Sequence, residues 1–329
     1  MGDLTKRDVK HLMLFAGRSH PALAAEIASL LGVDLVPTRM VTYANSEIYV
    51  RYEESVRGCD AFVVQTHVAP VNDYLMETLV MVDALKRASA KRITVVCPFY
   101  PYARQDKKHA GREPVSARLV ADLYRVAGVS RVMTVDLHAA QIQGFFDGPV
   151  DHLMAMPILA DYIEEKYDLG DVVLVSPDAG RVNLADKWAD RLGCPLAIIH
   201  KRRDPNVANT VAVHEVVGKV EDKTCILIDD MIDTAGTICL AAEALKAHGA
   251  KRVIAAVTHP VLSGPAADRL NRSAFEEVIA TNTLPIAPTT KIDKLTMLSI
   301  APMLAKSIEA VFTESSVDAL MNEAYRRHH

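Results

Sequence analysis

Short runs of aliphatic and β-branched residues recur along this chain with room for one helix between neighbours, and that alternation constrains the fold more than any other feature. The runs are Asp60–His67, Arg92–Phe99, Arg131–His138, Val172–Asp178, Leu196–Arg202, Cys225–Asp230, Arg252–His259 and Glu277–Asn282. Each is apolar on both of its faces, as strands buried within a parallel sheet are, whereas half-exposed antiparallel strands alternate. The intervening segments have readable helix ends. Asn72 and Asp73 can cap a helix whose Leu75, Leu79, Val82 and Leu85 share a face. Pro114 and Ser116 precede a second helix, in which Leu119, Leu123 and Val126 are expected to face inward and Gly128 marks the end. A third runs from Gly236–Thr237 to Gly249, with Leu240, Ala244 and Ala247 at helical spacing. The expectation is an α/β fold of doubly wound layers around central parallel sheets.

At 329 residues, half of them hydrophobic, the chain is long enough for two domains, since typical domains run ~100–200 residues. The Gly148–Pro149 turn and the Pro157 region mark a boundary. The expected division is 1–150, 151–303, and a C-terminal helix and tail over 304–329 that packs back on the first domain. A core of this size needs no disulfide or metal staple. The five cysteines are Cys59, Cys97, Cys194, Cys225 and Cys239; they form no C-x-x-C pair and each lies in or beside an apolar run. Buried free thiols in a reducing compartment fit that pattern. A net charge of −4 and a pI near 6.3 provide no broad basic surface for nucleic acid, so any anion site must be local. No apolar run approaches the ~18 residues of a membrane span, and the N-terminus lacks the make-up of a signal peptide. The expectation is a cytoplasmic protein without nucleic-acid or membrane partners.

The most specific segment is Ile226–Thr237, ILIDDMIDTAGT. A buried strand delivers two adjacent acids, Asp229 and Asp230, and a small-residue loop turns straight into a helix. Strand alternation is expected to place the two carboxylates on opposite sides, one for a polyol's hydroxyls and the other for the loop or a metal. Asp233, Thr234, Ala235, Gly236 and Thr237 put backbone N–H groups and two hydroxyls at a helix N-terminus, where partial positive charge favours a phosphate. Gly236 lets the backbone approach closely. Sugar hydroxyls on the acids with a phosphate in the loop describe a sugar phosphate. An ordinary acid-capped helix after a strand explains the loop alone, but not the loop, double acid and buried strand together. The segment resembles the PRPP-binding signature of type I phosphoribosyltransferases, which PRPP-consuming enzymes share with the synthetase that makes PRPP.

Phe99–Lys108 separates these two. After an apolar strand it carries Tyr102, Arg104, Gln105, Lys107 and Lys108, with Arg112 beyond. Such a cluster suits a triphosphate, although a run of charge by itself is usually a solvated face. PYARQDKK is similar to the ATP-site segment of ribose-phosphate pyrophosphokinases. Further stretches agree with that family: Asn45–Glu47, Glu54–Gly58, Thr134–Ala139, Gln141–Asp147, Ser176–Gly180, Ile199–Lys201 and Ser263–Pro265. The resemblance runs from about Phe15 to beyond Ala301 with the motifs in family order. Spacing alone would have stopped at a sugar-phosphate and anion binder.

The resemblance implies a phosphoribosyltransferase-like fold of two similar domains and a transfer of the pyrophosphoryl group of MgATP to the C1 hydroxyl of ribose 5-phosphate. It implies that Arg104, Gln105, Tyr43, Asn45 and Glu47 bind ATP, the last three reaching in from a neighbouring subunit of a homohexamer. It implies that Asp229, Asp230, Asp233, Thr234, Ala235, Gly236, Thr237 and Arg203 bind ribose 5-phosphate, with Lys201 and Arg203 catalytic in a loop over His200–Asn206. His138 and Asp178 become participants in a Mg²⁺ site. Because Mg²⁺ prefers hard oxygen ligands and keeps its waters, the histidine would act through water or a phosphate oxygen. Asp136 and His138, two apart at a strand end, are expected on one face. Two departures stand out: Arg181–Asn183 directly follows SPDAG where much of the family has another Gly and a basic residue, and Glu314–Val317 matches only in part the tail of the family's phosphate and ADP regulatory site. Arg57 and Arg112 match that site better, which makes inorganic phosphate and ADP candidate effectors. A PRPP-consuming transferase or a silent regulatory homologue remain as alternatives; the first leaves RQDKK and the other half of the chain unexplained, and retention of HKRR at 200–203 argues against the second. No P-loop motif occurs.

Overall fold

The computed structural model describes residues 10–202 and 213–326; for 201, 202, 213, 214 and 323–326 only the backbone is described. The chain divides into two compact units, one of Met1–Met154 with Ala301–Arg327 and one of Ala155–Ile300.

The first unit is built on a five-stranded parallel sheet of β1 (Leu12–Ala16), β4 (Asp60–Val64), β5 (Arg92–Val96), β6 (Arg131–Val135) and β7 (Val150–Leu153), in that spatial order. Helices α1 (Pro21–Leu31), α2 (Val71–Arg87) and α3 (Ser116–Ala127) connect these strands, and α8 (Ala301–Thr313) lies against α1. An antiparallel hairpin of β2 (Thr38–Thr42) and β3 (Ile48–Tyr52) stands apart from the sheet. The core is continuous through Phe15, Val63, Val95 and Val132 on the strands and Leu75, Val82, Leu85, Val120 and Tyr124 on α2 and α3. A final helix, α9 (Val317–Arg326), follows α8.

The second unit holds a seven-stranded sheet in the order β10 (Val213–Val217), β9 (Leu196–Arg202), β8 (Val172–Ser176), β11 (Thr224–Ile232), β12 (Arg252–Pro260), β13 (Glu277–Thr281) and β14 (Leu295–Leu298). Only β10 is antiparallel to its neighbour. Helices α6 (Gly236–Ala247) and α7 (Ala266–Arg272) join the core formed by Val175, Leu227, Val257 and Val278, while α4 (Met156–Lys166) and α5 (Val182–Leu192) also pack on sheet strands. Burial is complete along β8 and β13, as expected of strands covered on both faces. The α/β architecture of two parallel-sheet units is therefore as the sequence predicts.

Several local expectations change. Strands β4, β5, β6 and β8 each stop short of their predicted ends. Asp136 lies beyond β6 with φ +38°, so strand alternation does not govern the placement of Asp136 and His138. Helix α2 starts at Val71, which puts Asn72 and Asp73 in its first turn rather than at its cap. On α3 the buried side is Ala117, Val120, Ala121 and Tyr124; Leu119, Leu123 and Val126 are exposed. Two apolar stripes interleave on that helix, and the one with Tyr124 fills the core. Likewise Leu240 is exposed on α6, which buries Ile238, Ala241, Ala242 and Leu245 instead. Among the described residues no helix is long and apolar enough to cross a membrane.

Candidate active site

The second sheet reverses its winding between β8 and β11: the chain leaves β8 towards β9 on one side, and β11 towards β12 on the other. Open α/β sheets hold ligands at the carboxyl ends of strands at such a switch point. Asp178 follows β8, and Asp229 and Asp230 sit near the end of β11, so the topology brings these acids to one crevice edge.

The two adjacent acids do not part to opposite sides as alternation predicts. Arg181 reaches both, with Nη2 2.8 Å from Asp230 Oδ1 and Nε 3.4 Å from Asp229 Oδ1. The cause is local: Asp229 turns back so that its Oδ1 accepts the N–H of Asp230 at 2.8 Å. The Asp230 side chain is only 6 % exposed and that of Asp229 23 %. Burial raises the Asp229 carboxyl well above the usual carboxylate range, the neighbouring Asp230 raises it further, and the Arg181 guanidinium pulls it back.

Beyond β11 the backbone of Asp233, Thr234 and Ala235 forms the loop and α6 begins at Gly236. Ala235 holds the left-handed conformation at φ +59°. The outer side of the loop is tied down through its carbonyls. Ile232 O accepts from Leu262 N at 3.0 Å, Asp233 O from Ser263 N at 3.0 Å, and Thr234 O from Arg269 Nη1 at 2.9 Å. The N-cap residue of α6, Ala235, provides no side-chain cap, and a helix N-terminus presents first-turn N–H groups of the kind that bind an anion. A Cβ on Gly236 would stand 3.3 Å from Arg269 Nη1, so the glycine leaves room for the arginine that braces the loop. Thr237 is exposed at the start of the helix.

Asp178 organises the neighbouring turn. Its Oδ1 accepts from Gly180 N at 2.8 Å and Arg181 N at 3.0 Å, and this fixes where the Arg181 side chain starts. Lys201 lies on β9, in register with His214 on β10; its side chain, like the whole of Arg203, lies outside the described residues.

In the first unit the nucleotide candidates occupy exposed ground. Tyr43, Asn45 and Glu47 form the tip of the β2–β3 hairpin, closed by Tyr43 N to Glu47 O at 2.8 Å and Glu47 N to Asn45 Oδ1 at 3.2 Å. The Tyr43 ring is half exposed and tilted against Tyr49. Arg104 and Gln105 are exposed in the loop after β5, where Ser116 Oγ donates to Gln105 Oε1 at 2.6 Å. Asp106 beside them is buried and accepts from Gln141. His138 is half-buried beyond β6, and Arg57 and Arg112 are exposed, Arg112 with φ +67°.

Among the described residues no group of three or more His, Cys, Asp or Glu side chains is arranged to hold a metal. A hollow of about 450 Å³ in the first unit lies at the amino ends of β4 to β7, lined by Asp60, Arg92, Arg131, Asp151 and the turn at 314–318. Its charges pair with one another, Arg92 with Asp60 at 2.6 Å and Arg131 with Asp151 at 2.8 Å. It is at the opposite edge from the one at which such sheets take ligands.

Sequence reasoning missed Arg181 as a partner of the acid pair and Arg269 as a brace of the loop. Arg181 stood out as a departure from a pattern, but no spacing rule reveals where its guanidinium goes. Arg269, on α7 well after the loop, gave no signal.

Comparison with known proteins agrees along the chain. Residues 12–128 match the sequence model of the N-terminal domain of ribose phosphate pyrophosphokinase, and residues 153–283 match that of the phosphoribosyl transferase domain. A ribose-phosphate pyrophosphokinase of Streptomyces coelicolor is 62 % identical over 314 residues, which cover 95 % of this chain and 97 % of that protein. One from Mycobacterium tuberculosis is 60 % identical over 314 residues, 95 % of this chain and 96 % of its own length. The crystal structure of phosphoribosylpyrophosphate synthetase from Mycobacterium smegmatis superposes with a TM-score of 0.88 at 59 % identity, covering 93 % of this chain and all of that one.

Proposed function

This chain belongs to the ribose-phosphate pyrophosphokinase family, and on that premise we propose that Asp229, Asp230 and the Asp233–Thr237 loop hold ribose 5-phosphate for the reaction. The enzyme transfers the pyrophosphoryl group of ATP to the C1 hydroxyl of ribose 5-phosphate, releasing PRPP and AMP. One observation carries the assignment of the sugar site: an acid pair spanned by Arg181 and the N-terminus of α6 meet at the switch point of the second sheet. The acids accept hydrogen bonds from sugar hydroxyls, and the loop N–H groups receive the 5-phosphate.

ATP is assigned to Arg104 and Gln105, with Tyr43, Asn45 and Glu47 contributed by a neighbouring subunit. Their exposure on a loop and a hairpin tip supports this reading, since neither element encloses a nucleotide by itself. Lys201 and Arg203 offset charge developing on the transferred group, for phosphoryl transfer depends mostly on positioning and electrostatics. Mg²⁺ is the proposed cofactor, and when bound it neutralises phosphate charge and orients the phosphates. The Asp178 carboxylate, exposed after β8, is a hard oxygen donor suited to it; His138 suits it only through a water or a phosphate oxygen.

The exposed stripe of Leu119, Leu123 and Val126 on α3 supports self-association, for which a homohexamer is proposed. Inorganic phosphate and ADP are the proposed effectors, at Arg57 and Arg112. The test is ³¹P NMR of assembled protein mixed with Mg²⁺, ATP and ribose 5-phosphate, with and without added phosphate. PRPP and AMP should appear together and in equal amounts. Formation of ADP in place of AMP, or no PRPP from ATP and ribose 5-phosphate, would overturn the assignment.

A further inference from the structure

We propose that Arg181 is a positioning residue for the sugar: its guanidinium spans Asp229 and Asp230 and holds both carboxylates in place to accept the hydroxyls of ribose 5-phosphate. This inference rests on the acid pair being the sugar site. The geometry is specific. Arg181 follows the turn after β8, where Asp178 fixes its backbone N–H at 3.0 Å. From there the side chain crosses the switch point to β11, with Nη2 2.8 Å from Asp230 Oδ1 and Nε 3.4 Å from Asp229 Oδ1. Its side chain is 21 % exposed, so the ion pair sits in the wall of the crevice and not on open surface.

Physical chemistry gives that contact a task. Two carboxylates on successive residues, one almost fully buried, repel each other and share protons readily. A sugar diol binds best to carboxyl oxygens that are fixed in place, because their acceptor directions then match the two hydroxyls. A planar guanidinium supplies the opposing charge and a rigid fork, so it fixes the orientation of the pair. A lysine would supply charge without the fork. A glycine at this position would supply neither. Asp229 gains a second restraint from the Asp230 N–H, and Asp230 meets Arg181 Nη2 at 2.8 Å.

The experiment is steady-state kinetics of Arg181→Met and Arg181→Lys in the full-length, assembled enzyme, with KM measured separately for each substrate. Arg181→Met is expected to raise the KM for ribose 5-phosphate by ~10–100-fold, the range for losing a hydrogen bond to a charged group. The KM for ATP should stay within about twofold and kcat within about threefold, while Arg181→Lys recovers part of the loss. A merely structural role would move both KM values together and follow the thermal midpoint of each variant. If Arg181→Met fails to fold, Arg181→Lys decides by the same split. An unchanged KM for ribose 5-phosphate, or equal rises for both substrates, overturns the proposal and leaves the enzyme assignment intact. Wild-type protein that makes no PRPP would instead remove the reading on which the proposal rests.

Discussion

The acid-and-loop segment of the second unit and the hairpin tip of the first are built in opposite ways. Asp229 and Asp230 lie on a buried strand, tied to Arg181, and the loop after them is held through three carbonyls by Leu262, Ser263 and Arg269. Tyr43, Asn45 and Glu47 stand on a two-stranded hairpin, exposed, with turn hydrogen bonds among themselves. A preorganised site binds without first ordering its own groups, whereas an exposed tip must gain its rigidity from whatever it meets. In the proposed reading, the sugar phosphate docks on a segment already braced within the second unit, and the nucleotide site is the one that assembly completes.

The largest effect should come from the rigid side. Asp230→Asn leaves the Arg181 guanidinium without its closest charge partner in a buried place, and should lower kcat/KM for ribose 5-phosphate ~10²–10³-fold, the cost of truncating one partner of a buried pair. Normal kinetics with ribose 5-phosphate would break the comparison at its firmer end. Next in size, Leu119→Asp places a charge in the exposed α3 stripe. Light scattering should find smaller particles, and AMP formation should fall ~10-fold or more at fixed chain concentration as the assembly-dependent site is lost. Full activity in the dissociated state would contradict a shared nucleotide site. Asn45→Ala at the hairpin tip should raise the KM for ATP ~5–10-fold, about one hydrogen bond's worth, and leave the thermal midpoint unchanged because the residue is exposed.

The smallest effect on turnover belongs to Glu277→Gln, which weakens the second unit away from its site. Burial alone would raise the Glu277 carboxyl, but donors from Lys166, Thr296, Tyr167 and Tyr162 outweigh it and bring the value down to about 2. The ordinary value is 4.5, so ionised Glu277 stabilises the fold above that pH and the contribution fades as the pH falls towards 2. Glu277→Gln should cost ~1–3 kcal/mol at neutral pH while KM values hold. In urea melts the gap between variant and wild type should narrow on acidification. A gap that widened would refute the sign.

The sequence revealed strands better than faces. Every predicted run contains a strand, because a parallel strand buried on both sides must be apolar throughout, and that signal needs no partner to interpret. The four-residue β7 and β14 and the antiparallel β2 and β10 were missed, being brief or mixed in polarity, and so was β1, although it is as long and as apolar as the strands that were found. Periodicity found an apolar stripe on α3 but the wrong one for the core, since Leu119, Leu123 and Val126 and the set around Tyr124 both repeat at helical spacing. In the site, the loop from Asp233 to Thr237 was legible because its small residues and its helix start are contiguous. What links distant segments was not: Arg181 to the acid pair, and Arg269 to Thr234 O. Even the separation of Asp229 from Asp230 failed as a prediction, because one side chain turned back to its neighbour's N–H.

Hydrogen–deuterium exchange on the assembled enzyme reads the two regions separately and tests the central claim, that ribose 5-phosphate docks on a preformed loop at the end of β11. Ribose 5-phosphate, added with Mg²⁺ and a non-hydrolysable ATP analogue, should slow exchange at the amides of Asp233–Thr237 relative to the analogue alone, while the analogue alone accounts for any slowing at 43–47. No added protection at Asp233–Thr237, with ribose 5-phosphate instead slowing the hairpin tip, would contradict the account.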